Sequence, residues 1–204
     1  MVWSWAMNVA PSSLTPPARL AIAYAPVRLR NAFSLLLLFD NRLASIIGRS
    51  TEPLIAQMKI AWWYDALAKP EGGRPKGEPL LIELNKIDNP TVIPAMQMVL
   101  DAWEMLLTEQ NWSAQTLSDF AHVRAGAIFG TYAHWVGEDV AIGSFGEDWA
   151  IDDLRIRFGN RFEALVRLPQ GLPSKRSLRP LTILTLATQT PSGMRMLWHA
   201  LTGQ

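Results

Sequence analysis

At 204 residues, with a formal net charge of +1 and its acidic and basic residues interspersed, the chain can form one well-cored domain and lacks the electrostatic footprint of a nucleic-acid binder. Nearly half of it is apolar and nine residues are tryptophan, which points to large buried or interface-facing aromatic surfaces. It has no cysteine, so disulfides, thiolate chemistry and cysteine metal sites are excluded.

The first residues, Met1-Val-Trp-Ser-Trp-Ala-Met-Asn, lack a charged leader and a clean apolar run, so no signal peptide is expected. The uninterrupted apolar run at residues 35–39 falls far short of the roughly 20 residues that span a bilayer. The expectation is a cytoplasmic protein. Its tryptophan-rich start reads either as a peripheral membrane contact or as a frayed or packed terminus.

In chain order, residues 1–16 read as irregular, punctuated by Pro11, Pro16 and Pro17. A short helix over 17–25 starts on proline and is ended by Pro26. A long helix over 27–47 is expected to stop near Gly48. Ser50 or Thr51 should cap the next helix, which has Glu52 and Pro53 in its first turn and runs to about Ala68. Residues 69–79 form a polar, glycine- and proline-dense surface loop. Helices follow over 80–86 and 90–108, the second with Val92, Met96, Val99, Leu100 and Trp103 on one stripe. Ser113 caps a long helix over 114–136. Gly143 and Gly146 mark a loop, then come helices over 148–158 and 161–168. A loop over 169–177 leads to closing helices over 178–188 and 192–201. Residues 178–186 contain Thr182, Ile183 and Thr185 and have strand propensity. No stretch alternates with period two, so a strand there would lack a partner and the segment is read as helical. The expected architecture is all-α, a single helical-bundle domain over 1–204 with no internal repeat.

Three charged residues stand out because a helix places them on apolar faces. Asp40 has Leu36, Leu37, Leu43 and Ala44 three and four residues away. Arg124 has Phe120, Ala121, Ala127 and Ile128, and Asp153 has Trp149, Ala150 and Ile156. A carboxylate on such a face costs several kcal/mol unless something pairs with it or coordinates it. Asp148-Trp-Ala-Ile-Asp152 is a literal Asp-x-x-x-Asp, a spacing that puts both carboxylates on one helix face. A helix-start role, with acids favoured by the macrodipole, competes there with metal binding. Trp62, Trp63, Trp103 and Trp135 read as core or cavity walls. His122, His134 and His199 have no metal-ligand spacing and no acid partner four residues away, and read as structural. No glycine-rich phosphate loop, nucleophile elbow or zinc signature is present.

The order of these pieces resembles the squalene/phytoene synthase family over roughly residues 18–165. The stretches that carry the resemblance are Arg28-Leu-Arg-Asn-Ala-Phe-Ser-Leu-Leu-Leu-Leu-Phe-Asp40 and Gln57-Met-Lys-Ile-Ala-Trp-Trp-Tyr-Asp65-Ala-Leu67. Residues 90–107 resemble the next family helix. Phe120-Ala-His-Val-Arg-Ala-Gly126 falls where the family has Tyr-Cys-Tyr-x-x-Ala-Gly, and Trp149-Ala-Ile-Asp-Asp-Leu-Arg155 where it has Gln-x-x-Asn-x-x-Arg-Asp. The resemblance implies an isoprenoid-synthase fold with a central apolar cavity. Across it, two Asp-x-x-x-Asp motifs would hold Mg2+ on the diphosphates of prenyl substrates.

The chain departs from that pattern. Ala44 stands four residues after Asp40, and Ile156 and Asn160 stand where the second pair of aspartates belongs, although Arg155 persists. Arg124 occupies a cavity-lining position that is small and apolar in the family. Asp40, Arg124 and Asp153 therefore read as a buried ion cluster at a remnant site, or as a pocket for a polar or anionic head group. Three functions follow. The favoured one is a non-catalytic binding or assembly module with no cofactor, taking a protein partner or an apolar or isoprenoid ligand. The family has such a precedent in a mitochondrial complex I assembly factor, which suggests a membrane or respiratory complex as partner. The second is a Mg2+-dependent prenyl diphosphate transferase of terpenoid biosynthesis, with an atypical site at Asp40, Asp148 and Asp152. The third is a carrier whose cavity is lined by residues such as Leu36, Trp62 and Phe129.

Overall fold

The computed structural model describes residues 13–50, 52–107, 112–139, 143–159 and 175–189, and every regular element among them is helical. The expected helices over 161–168 and 192–201, and residues 1–12, lie outside the described residues. No helix among the described residues is long and apolar enough to cross a membrane.

Helix α1, Pro16–Tyr24, begins on two prolines and is capped by the Thr15 hydroxyl, which accepts from the Ala18 amide. It ends where Ala25, held extended before Pro26, cannot continue the helix. The Arg30 guanidinium donates back to the carbonyls of Ala23 and Ala25, 2.7 and 3.0 Å away, and closes that end. After a 3-10 turn at Val27–Leu29, α2 runs over Arg30–Arg49 and ends one residue past Gly48, close to the expected stop. A Cβ on Gly48 would stand 3.2 Å from the Phe158 ring, so this glycine serves a close approach between helices.

Helix α3, Pro53–Ala68, has Glu52 at its N-cap, with no side-chain capping bond. Of the two expected caps, Thr51 lies outside the described residues and Ser50 is taken: its hydroxyl donates to the Ile46 carbonyl, 2.7 Å away, at the end of α2. Helix α4 spans Pro79–Leu84 and α5 spans Val92–Met105, with Asn89 accepting from the Thr91 amide and hydroxyl in the preceding turn. That turn explains why α5 starts after Pro90. Helix α6, Ala114–Ala125, is capped by Ser113 as expected and continues through a π-helical turn, Gly126–Gly130, into α7, Thr131–Trp135. The wide turn lets Ala127, Ile128 and Phe129 bury in succession.

Helix α8, Gly143–Phe158, begins five residues before the expected start. The two glycines read as a loop lie inside it. Gly143 is its first residue, and Gly146 in its interior costs about 1 kcal/mol, which the buried face of Trp149, Ala150, Ile151 and Leu154 outweighs. Helix α9, Arg179–Gln189, follows a 3-10 turn at Arg176–Leu178. Its β-branched residues are no obstacle, because Thr182, Thr185 and Thr188 donate their hydroxyls to carbonyls of their own helix or the turn before it.

Helix contacts close a ring: α2 packs on α5, α5 on α6, α6 on α8, α8 on α9, α9 on α1, and α1 on α2. Helix α3 lies against α5, and α4 against α2. One continuous apolar core fills the ring. This is an all-α single domain, as its patterning predicts.

The 69–79 loop offers a clean test of backbone strain. Gly77 has φ +97°, whereas Gly72 has an ordinary φ, and neither would meet an atom within 4 Å if given a Cβ. Gly77→Ala should therefore destabilise the fold by about 1–2 kcal/mol in urea unfolding, while Gly72→Ala should leave it unchanged or slightly raise it.

Candidate functional site

Three charged side chains on apolar faces meet at the centre of the ring. Arg124 projects from α6, Asp40 from α2 and Asp153 from α8. The Arg124 side chain is 0% exposed, Asp40 3% and Asp153 15%. Arg124 grips Asp40 with two parallel hydrogen bonds, Nε to Oδ1 at 2.9 Å and Nη2 to Oδ2 at 2.7 Å. This fork-on-fork pairing is the strongest geometry open to the two groups. Nη2 also donates to Asp153 Oδ2 at 2.5 Å, and Nη1 to the Ala150 carbonyl at 3.1 Å.

Further residues complete the cluster. Trp103 on α5 donates its indole N–H to Asp40 Oδ1 at 2.8 Å. Arg157 donates Nε to Asp153 Oδ2 and Nη1 to Asn41 Oδ1, both at 2.8 Å. The Arg124 guanidinium lies 4.3 Å from the Trp149 ring centroid, with the Trp103 and Phe120 rings at 5.1 and 5.6 Å. Four helices of the ring thus contribute to one polar knot in an apolar interior.

Two carboxylates and two guanidiniums sum to zero charge. Burial alone would lower the Arg124 pKa, but Asp40 and Asp153 outweigh it and hold it above the ordinary arginine value. Burial would raise Asp153, but Arg124 and Arg157 outweigh it and hold it below the ordinary aspartate value. Arg124 and Asp153 therefore stay charged at neutral pH, so neither is poised for proton transfer.

The other expected site residues lie elsewhere. Arg155 does not reach the cluster; it pairs with Asp152 at 2.9 Å near the surface of α8. Burial raises the Asp152 pKa against the pull of Arg155. Arg157, one turn after Asp153, joins the cluster where Arg155 of the remnant-site pattern does not, because spacing by four keeps it on the inner face. Asp148 is buried in the second turn of α8, so a role at the helix start does not apply. Ile156 is 65% exposed, and Asn160 lies outside the described residues. Leu36 and Phe129 are fully buried, Phe129 against Trp149 at 4.9 Å, and Trp62 is half-buried with its ring 5.0 Å from Trp63. None of these three is among the residues that line the cleft between α1, α2, α8 and α9. His122 does have an acid partner, Glu147 on α8 at 2.9 Å, across helices and therefore invisible to spacing along one helix. Arg157 and Trp103 are the cluster members that sequence reasoning missed. The four-residue spacing from Asp153 to Arg157 was the available signal for the first.

A cleft of about 160 Å³ opens above the cluster, between α1, α2, α8 and α9. Asp40, Asn41, Asp153 and Arg157 contribute to its lining, together with Trp149. Among the described residues, no group of three or more histidine, aspartate or glutamate side chains could hold a metal ion. The donors at Asp40 do not fit Mg2+ either, since both carboxylate oxygens already accept from a guanidinium that occupies the space a cation would need. No protein-family model, no curated protein and no solved structure matches this chain.

Truncating one partner of the knot strands a buried charge, whereas replacing the pair removes both charges. Arg124→Met should cost about 3–5 kcal/mol in urea unfolding, and Asp40→Leu a similar amount. The Arg124→Met, Asp40→Leu double variant should recover most of that loss, and additive single-variant costs would refute the coupling. Asp153 also sets a pH limb. Its folded pKa lies below its unfolded value, so its contribution is full above about pH 4 and falls away as pH drops through the folded value. Asp153→Asn should therefore flatten the acid limb of a stability–pH curve below about pH 4 while lowering stability at neutral pH.

Proposed function

We propose that this chain is a squalene/phytoene synthase-like protein that does not transfer prenyl groups and works as a binding or assembly module. The observation that carries this reading is the double hydrogen bond of Arg124 to Asp40. The resemblance assigns Asp40 to a Mg2+-binding motif. A carboxylate whose two oxygens are both held by a buried arginine is a structural anchor instead, and Ala44 supplies no second ligand on that face. By analogy with the family's assembly-factor precedent, the partner is a membrane-protein complex or its assembly intermediate.

The outer face of α3 supports a docking role. Leu54 and Met58 are 65% and 66% exposed, and half-buried Trp62 continues their four-residue spacing. Side chains so spaced form one apolar stripe on the helix.

Two measurements test the reading. With farnesyl diphosphate and Mg2+, the chain should release no diphosphate above a protein-free control. Release that disappears in Asp40→Ala would establish a Mg2+-dependent prenyl transferase instead. A photo-crosslinker at Met58 should couple the chain, in its source cells, to a subunit of a membrane-protein complex. Absence of any protein adduct would remove the assembly role.

A further inference from the structure

We infer that the cleft between α1, α2, α8 and α9 binds a small molecule with a hydrocarbon body and a single neutral hydroxyl head, whose hydroxyl donates to Asp153 Oδ1. The inference stands on the cleft and not on the family resemblance. It is independent of the protein partner proposed for α3.

Size and walls define the body of the ligand. The cleft measures about 160 Å³. An apolar cavity of about 150 Å³ accommodates benzene. Ala18 of α1, Leu37 of α2, Ile156 of α8 and Leu184 of α9 present hydrocarbon from all four helices. A ring or branched chain of about that size fits.

The head is defined by Asp153. Its Oδ2 takes both arginines, whereas no described residue donates to Oδ1. The carboxylate is largely withdrawn from water, with 15% of the side chain exposed, yet it belongs to the cleft lining. An ionised oxygen so placed is completed by a donor.

Charge then selects among donors. The cluster beneath is electroneutral, so it does not attract an ion of either sign. Anionic heads are further disfavoured by the nearby start of α1. A helix N-terminus binds anions through free amides, but Pro16 and Pro17 have none. The amides of Ala18 and Arg19 are already bonded to Thr15, at 3.4 and 3.1 Å. An ammonium head would have to lose its hydration for an oxygen whose carboxylate is already neutralised by two guanidiniums. A hydroxyl donates one hydrogen bond and carries no charge to desolvate.

The test uses the full chain and four matched probes: benzyl alcohol, toluene, benzoate and benzylamine. Binding is read from nitrogen–proton NMR spectra, with the Trp149 indole as reporter within the cleft. Benzyl alcohol should give saturable shifts at Trp149 and bind at least fivefold more tightly than each of the other three. Ala187→Phe, which fills the cleft from α9 and leaves every member of the ion cluster in place, should abolish those shifts. If that variant does not fold, Ile156→Trp at the exposed rim should weaken binding at least threefold. Equal affinity for toluene, tighter binding of benzoate or benzylamine, absence of saturable shifts, or unchanged binding in the cleft-filling variant would each overturn the inference.

Discussion

The buried guanidinium of Arg124 is the constraint on which the rest of the structure turns. Its hydrogen bonds reach the side chains of Asp40 and Asp153 and the backbone of Ala150, so α6 is tied to α2 and α8 at one point. Trp103 adds α5 through Asp40. Such a knot contributes little net stability, because desolvation of the ions cancels much of their attraction. Its effect on alternatives is larger. Sliding any of these helices by one turn would leave a charge buried and unmatched, at a cost comparable with a sizeable fraction of a domain's stability. The apolar contacts of the ring are permissive about register; the knot is not.

Rings around the guanidinium extend the same logic. Trp149, Trp103 and Phe120 surround it at 4.3 to 5.6 Å and keep water out. Low polarity strengthens every hydrogen bond in the cluster and raises the penalty for any that is missing. A second buried pair on α2 follows the same rule at the periphery. Arg42 meets Glu78 at 3.3 Å, where Glu78 also caps α4. Burial pushes the Glu78 pKa up against the pull of Arg42, so desolvation outweighs attraction there. At Asp153 two arginines reverse that balance. The number of partners, rather than burial alone, sets the direction in which each carboxylate shifts.

Much of this was legible in the amino-acid order. Asp40, Arg124 and Asp153 each sit three or four residues from apolar neighbours, and a charge on such a face must find a partner of opposite sign. The helices themselves follow from capping residues such as Thr15 and Ser113. What was not legible depends on contacts between elements. Gly48 reads as a stop and lies one residue from the end of α2, but its second task, admitting the Phe158 ring, shows only in the fold. Ser50 reads as the cap of α3 until its hydroxyl is found on the end of α2. Gly143 and Gly146 read as a loop because propensity is local, whereas the buried face of α8 is not. That early start moves Asp148 from a first turn into a buried second one. Trp103 is an apolar residue to any periodicity count, and only the position of Asp40 shows that its indole N–H has a polar task.

The same interaction separates likeness of pattern from likeness of chemistry. A Mg2+ site on carboxylates needs oxygens that face an open space and remain negative in sum, because the cation must exchange its water for them. At the centre of this ring the negative charge is cancelled by Arg124 and Arg157, and the oxygens of Asp40 are turned inward onto a guanidinium. Reversing one residue would not restore such a site, since removing Arg124 leaves Ala44 still without a carboxylate and the Trp149, Trp103 and Phe120 rings still arranged around a planar cation. The cluster is thus self-consistent as a neutral anchor, with four helices shaped to it. Toward the cleft, Asp153 keeps one carboxylate oxygen to which no described residue donates, suited to a hydrogen-bond donor and not to a metal–diphosphate pair.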